Sequence, residues 1–124
     1  MSRPLVIYIN HPDQVVKQTL LEFVDDLGNQ GTGFESGDDM RAKLAQINPK
    51  ADMVIASLES ISDVNREGIA FFQQIHQQYP ELAVTLITNG GGNLTASEAA
   101  SCGVRYFLRE PIRLSELELY LTRP

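Results

Sequence analysis

The sequence predicts an α/β domain built on a doubly wound, five-stranded parallel sheet with helices on both faces. Three observations lead there. Short, β-branched apolar runs recur along the chain, and the segments between them carry apolar residues at helical spacing. The runs are nearly continuous rather than alternating, as strands buried on both faces require. Strictly alternating strands and helices imply parallel pairing through right-handed crossovers. With 124 residues and no repeat or linker-like tract, the chain reads as one domain over 1–124.

The first strand is Leu5-Val6-Ile7-Tyr8-Ile9, stopped by Asn10-His11-Pro12. Proline suits a first helical turn, so a helix is expected from there, with Val16, Leu20, Leu21, Phe23, Val24 and Leu27 on its inner face and Gly28 at its end. A second strand is expected near Gly31–Glu35, the weakest element because glycine adds no side chain to pack. Asp38 or Asp39 can cap a helix carrying Met40, Leu44 and Ile47, closed by Asn48-Pro49. The run Met53–Leu58 is the third strand. A polar loop from Glu59 to Glu67 leads through Gly68 into a helix with Ile69, Phe71, Phe72 and Ile75, ending before Pro80. Leu82–Thr88 is the fourth strand, stopped by Asn89-Gly90-Gly91-Gly92. Thr95-Ala96-Ser97-Glu98 has capping-box spacing and should open a fourth helix. Val104–Leu108 is the fifth strand, and Glu110-Pro111 precedes a last helix with Leu114, Leu117 and Leu121.

Composition narrows the function. The net charge is −6 and the ten basic residues are scattered, which argues against a nucleic-acid surface, since such a surface needs a basic stripe. No apolar stretch is long enough to span a membrane, and no signal-peptide pattern opens the chain. The single cysteine, Cys102, fits a reducing cytoplasm and reads as a packed residue near a helix end.

In a doubly wound sheet the functional crevice lies beyond the carboxyl ends of the strands. Topology alone therefore selects Ile9, Asn10, His11, Ser57, Thr88, Asn89 and Glu110. A Ser57 nucleophile would need His11 as its base, and no third group orients that pair. The Asn89–Asn93 loop is glycine-rich but lacks the lysine and spacing of a phosphate loop, and reads better as a mobile loop. Glu110 could pair with Arg105 or Arg109, or stand solvated, and its bond to Pro111 could be cis. His76 reads as a surface residue. Two distant histidines and one cysteine give no support to a metal site or cofactor.

Several segments together resemble the receiver domain of two-component response regulators, over essentially the whole chain. They are Asp52–Leu58, Gly68–Ile75 with Tyr79-Pro80, Val84–Thr88 with its switch threonine, and Gly103–Pro111 with its aromatic switch position at Phe107. The resemblance implies the flavodoxin-like strand order 2-1-3-4-5. It also exposes departures. Where receivers place two metal-binding acids, this chain has Ile9 and Asn10. The phosphoacceptor aspartate is matched by Ser57 and the lysine by Glu110, and the loop after Ser57 is longer than the commonest form. Mg²⁺ wants hard oxygen ligands, and a transferring phosphoryl group needs its charge neutralised. Glu110 would repel it.

The expectation is thus a degenerate receiver: not an enzyme, without cofactor, a signalling and protein-interaction module in which Ile9, Asn10, Ser57, Thr88 and Glu110 line a dead phosphorylation pocket. Its partner would be another protein or an attached transcriptional output domain of a longer chain, in the cytoplasm. The resemblance implies an interface formed by the fourth helix, fifth strand and fifth helix, carrying Arg105, Phe107, Arg109, Glu116 and Tyr120. Their mixed charges suit an isologous homodimer. Two rivals remain: a residual phosphoacceptor using Glu59 or Asp63, and a nucleotide- or flavin-binding domain using Asn89–Asn93.

Overall fold

The computed structural model describes residues 4–46, 51–57, 65–89 and 103–122. Nine elements follow in order: β1 (Val6–Asn10), α1 (Gln14–Asp26), β2 (Gln30–Phe34), α2 (Gly37–Leu44), β3 (Met53–Ser57), α3 (Asn65–Gln78), β4 (Ala83–Asn89), β5 (Tyr106–Glu110) and α4 (Leu114–Thr122). All five strands are parallel, in the order β2-β1-β3-β4-β5. The fold is the flavodoxin-like one expected.

Strand periodicity divides the core into two layers. Ile7, Ile9, Met53, Ile55, Ile87 and Leu108 pack with Leu20 and Val24 of α1 and Leu117 and Leu121 of α4. Tyr8, Val54, Ala56, Val84 and Leu86 pack on the other side with Met40 of α2 and Phe71, Phe72 and Ile75 of α3. The same alternation decides which residue at a strand end faces which layer. It sends Ile9 into the α1–α4 layer, fully buried.

Several boundaries differ from the sequence expectation, each for a local reason. Helix α1 starts two residues after Pro12, because the Asp13 carboxylate accepts the Val15 and Val16 N–H groups and is the N-cap. Ser36, rather than Asp38 or Asp39, caps α2, accepting the Asp39 N–H at 3.1 Å. The two aspartates occupy the first turn instead, where the helix dipole favours negative charge. Helix α3 begins at Asn65, so Gly68 is interior. Strand β5 lies two residues later than predicted. Gly103 turns the chain at φ +70°, and Arg105 N–H bonds Val84 O before ladder pairing starts at Thr85–Tyr106. The segment with the expected fourth helix, Thr95–Glu98, and Cys102 lie outside the described residues.

The glycines of β2 have a packing role. A Cβ on Gly33 would stand 3.2 Å from Leu21 Cδ1 and 3.4 Å from Lys17 Cδ. Bare backbone there lets α1 lie close against the edge of the sheet.

Candidate functional site

The sheet brings Asn10, Ser57, Thr88 and Glu110 to one rim, at the carboxyl ends of β1, β3, β4 and β5. Asn10, Ser57 and Thr88 are buried. Ile9 shares their sequence neighbourhood but not their environment, since its side chain belongs to the hydrophobic core. Asn10 Nδ2 donates to Phe34 O at 3.1 Å and so ties β1 to the end of β2.

A short polar contact at the rim joins two residues that the sequence reading did not pair. Glu110 meets His11, with Nε2 and Oε1 2.7 Å apart, and not Arg105 or Arg109, which are exposed. The His11 side chain is 3% exposed and that of Glu110 is 32%. The Asp13 N–H donates to His11 Nδ1 at 3.0 Å. That bond requires a lone pair on Nδ1, which places the ring proton on Nε2, and Nε2–H then donates to the Glu110 carboxylate. Both nitrogens of the imidazole are thereby engaged, so His11 is not poised as a base for Ser57. The Glu110–Pro111 peptide bond is cis.

Strands β3 and β4 lie between β1 and β5 in the sheet. At about 4.8 Å per strand, the two outer backbones are separated by roughly 14 Å, close to the combined reach of a histidine and a glutamate. The His11–Glu110 bond therefore bridges the rim across the ends of the two strands that carry Ser57 and Thr88.

A second set of contacts was missed entirely. Lys17 is 6% exposed, and its Nζ donates to Glu35 Oε1 at 3.2 Å and Phe34 O at 3.5 Å. Gln14 Nε2 also reaches Glu35, at 3.4 Å. The signal was present in the sequence, since Lys17 shares the 17-20-21-24 stripe with three apolar residues of α1. A lysine on such a stripe needs an anion at the end of its stem. The first turns of α1 are thus tied to the β2 side by Lys17 and Gln14 and, through His11, to the β5 side.

Ile9 lies in the core layer rather than at this rim, the Asn10 side-chain amide donates to Phe34 O, and the Glu110 carboxylate holds His11. Among the described residues no group of three or more His, Cys, Asp or Glu side chains is placed to hold a metal, and no helix is long and apolar enough to cross a membrane. Glu59, Asp63 and the loop from Gly90 to Asn93 lie outside the described residues. A cavity of about 580 Å³ does exist, but at the opposite rim, between Leu44, Ala45, Tyr79 and Leu82.

Of the expected interface residues, Arg105 and Arg109 are exposed and Phe107 is half-buried against the α2–α3 layer. Tyr120 stacks on Tyr106 with ring centroids 4.2 Å apart, and its hydroxyl donates to Glu116 Oε1 at 2.8 Å. Burial pushes the Tyr120 phenol up, and the hydrogen bond and charge of Glu116 push it further in the same direction. His76 is exposed, as expected, but its imidazole also lies directly over Gly103.

No protein-family model matches the chain, and a search of curated proteins finds no relative. Solved structures do match. The signal receiver domain of an HD domain-containing protein from Pseudomonas fluorescens Pf-5 superposes with a TM-score of 0.81 at 24% identity, covering 98% of this chain and 94% of that one. A response regulator receiver domain protein from Clostridium thermocellum gives 0.82 at 18% identity, covering 96% and 92%. NtrX from Brucella abortus, in complex with ADP, gives 0.81 at 21% identity over 97% of this chain. The present chain spans only 26% of that protein. At these identities the likeness establishes the receiver-type fold.

Proposed function

We propose that this chain is a phosphorylation-independent receiver module, a non-enzymatic signalling domain that acts by binding a protein partner or an attached output domain. The observation that carries this reading is the His11–Glu110 bond. In a phosphorylatable receiver the corresponding rim must collect positive charge to neutralise a transferring phosphoryl group. Here it holds a carboxylate, and the neighbouring imidazole is committed to that carboxylate.

The binding surface in this reading is the face of β5 and α4, with Arg105, Phe107, Arg109, Glu116 and Tyr120. The Tyr106–Tyr120 stack packs α4 against β5, and Arg105 and Arg109 are exposed along the same edge strand. Opposed charges of this kind are self-complementary about a two-fold axis, which favours a homodimer as one assembly. Regulation of transcription by an attached domain is the corresponding output.

Incubation with a small phosphodonor and Mg²⁺, read by intact-protein mass spectrometry, tests the reading. No phosphoryl adduct is expected. A Mg²⁺-dependent stoichiometric adduct would overturn it. For the interface, sedimentation of the Arg109→Glu variant should show a loss of any dimer formed by the unaltered chain.

A further inference from the structure

A module deaf to phosphate still needs an input that distinguishes two states. We propose that proton binding at His11 is that input, with the His11–Glu110 bond as the latch it acts on. This rests on the phosphorylation-independent reading and names the regulation of the same site.

The argument is geometric. In the latched state the imidazole carries one proton, on Nε2, facing Glu110 Oε1 at 2.7 Å, and its bare Nδ1 accepts the Asp13 N–H at 3.0 Å. Every hydrogen-bonding position of the ring is matched. A second proton can go only to Nδ1, where it opposes the Asp13 N–H, donor against donor. The ring, almost wholly buried, has no solvent into which to turn that edge. The 11–13 turn must therefore move. Asp13 is the N-cap of α1, its carboxylate holding the Val15 and Val16 N–H groups, so that movement reaches the first turn of the helix.

The charged surroundings set what the proton does. Glu110, from the end of β5, attracts a cationic ring. The amino terminus of α1 opposes it, since the helix dipole is positive there. Asp13 is occupied with its capping bonds, and Lys17 of α1 is paired with Glu35 beyond β2. The ends of β3 and β4 contribute Ser57 and Thr88, which carry no charge, and Arg109 and Arg113 beside Glu110 are exposed. A protonated His11 thus keeps its hold on Glu110 while losing Asp13. When the turn shifts, Glu110 and the end of β5 are drawn with it. Tyr106, four residues back on the same strand, stacks on Tyr120, so the displacement arrives at the face assigned to partner binding.

The test is an NMR pH titration of the unaltered chain and of the His11→Gln and Glu110→Ala variants, following imidazole nitrogens and backbone amides. At the alkaline end His11 should show the Nε2–H tautomer. On acidification its ring, the Asp13 amide and the Arg109 and Glu110 amides should move with one shared midpoint. His11→Gln should abolish that response while His76 titrates as before. Glu110→Ala, which removes the acceptor, should separate the two sides, with Asp13 still following the ring and β5 no longer doing so. A ring that stays neutral throughout the folded range, a ring that titrates with β5 silent, or a response that survives in His11→Gln would each overturn the proposal. The phosphodonor experiment runs independently: an adduct there removes the parent reading whatever His11 does.

Discussion

Placing an acidic residue at Ile9 is a demanding perturbation, because it asks whether that position belongs to a pocket or to the core. Ile9 is fully buried within the layer formed with Leu20, Val24, Leu117 and Leu121. Replacing it with aspartate removes most of a packed side chain, worth about 2–5 kcal/mol when a large aliphatic residue is truncated in a core. The new carboxyl group, protonated or not, adds about 1–3 kcal/mol for a buried polar group without a partner. The two together approach the whole stability of an ordinary domain, about 5–15 kcal/mol. With a urea slope of about 1–3 kcal/mol/M, even the smallest combined loss moves the unfolding midpoint down by at least about 1 M. Urea denaturation followed by circular dichroism of Ile9→Asp reads this directly. A variant with an unchanged midpoint that gains stability on adding Mg²⁺ would refute the reasoning, since its carboxylate would have to lie in a solvated metal pocket.

Three other outcomes follow from the same contacts. Glu110→Lys, which supplies the lysine that phosphorylatable receivers use, should cost about 1–3 kcal/mol by leaving the buried His11 Nε2–H without its acceptor, and should not create phosphodonor labelling. Gly103→Ala should cost about 1–2 kcal/mol for its left-handed backbone and more for the collision of its methyl group with His76; thermal melts should show His76→Ala removing only the second part. Burial raises the Tyr8 and Tyr120 phenols, so their contribution to stability is complete below the ordinary tyrosine value of about 10 and is lost as the pH rises through the raised values. In an alkaline absorbance titration their phenolate signal should appear late and together with unfolding, and an early, independent appearance would contradict the burial argument.

Most of the architecture was legible because it rests on periodicity. The apolar runs at Val6, Met53 and Ala83 became strands, and the 20-21-24 and 71-72-75 spacings became the inner faces of α1 and α3. The rim was legible only to within a residue or two: topology selected Ile9 together with Asn10, Ser57, Thr88 and Glu110, and strand alternation turns Ile9 into the core. What escaped was decided by hydrogen bonds of single side chains. The Asp13 cap started α1 beyond Pro12, Ser36 took the cap of α2 from Asp38 and Asp39, and the turn at Gly103 delayed β5 until its backbone met Val84. The His11–Glu110 pair lies 99 residues apart in sequence and three strand positions apart in the sheet. No local pattern encodes such a contact. It emerges only when strand order, register and side-chain reach combine. Lys17 differs in kind, since a charged residue on an apolar stripe is visible in sequence and should always prompt a search for its partner.

The central claim is that the carboxyl rim no longer responds to phosphate chemistry. An amide NMR titration with Mg²⁺ and then beryllofluoride, which mimics an aspartyl phosphate, addresses it most directly. The account predicts no saturable shifts at Asn10, Ser57, Thr88 or Glu110. Saturable shifts at those residues, spreading to Phe107 and α4, would contradict it.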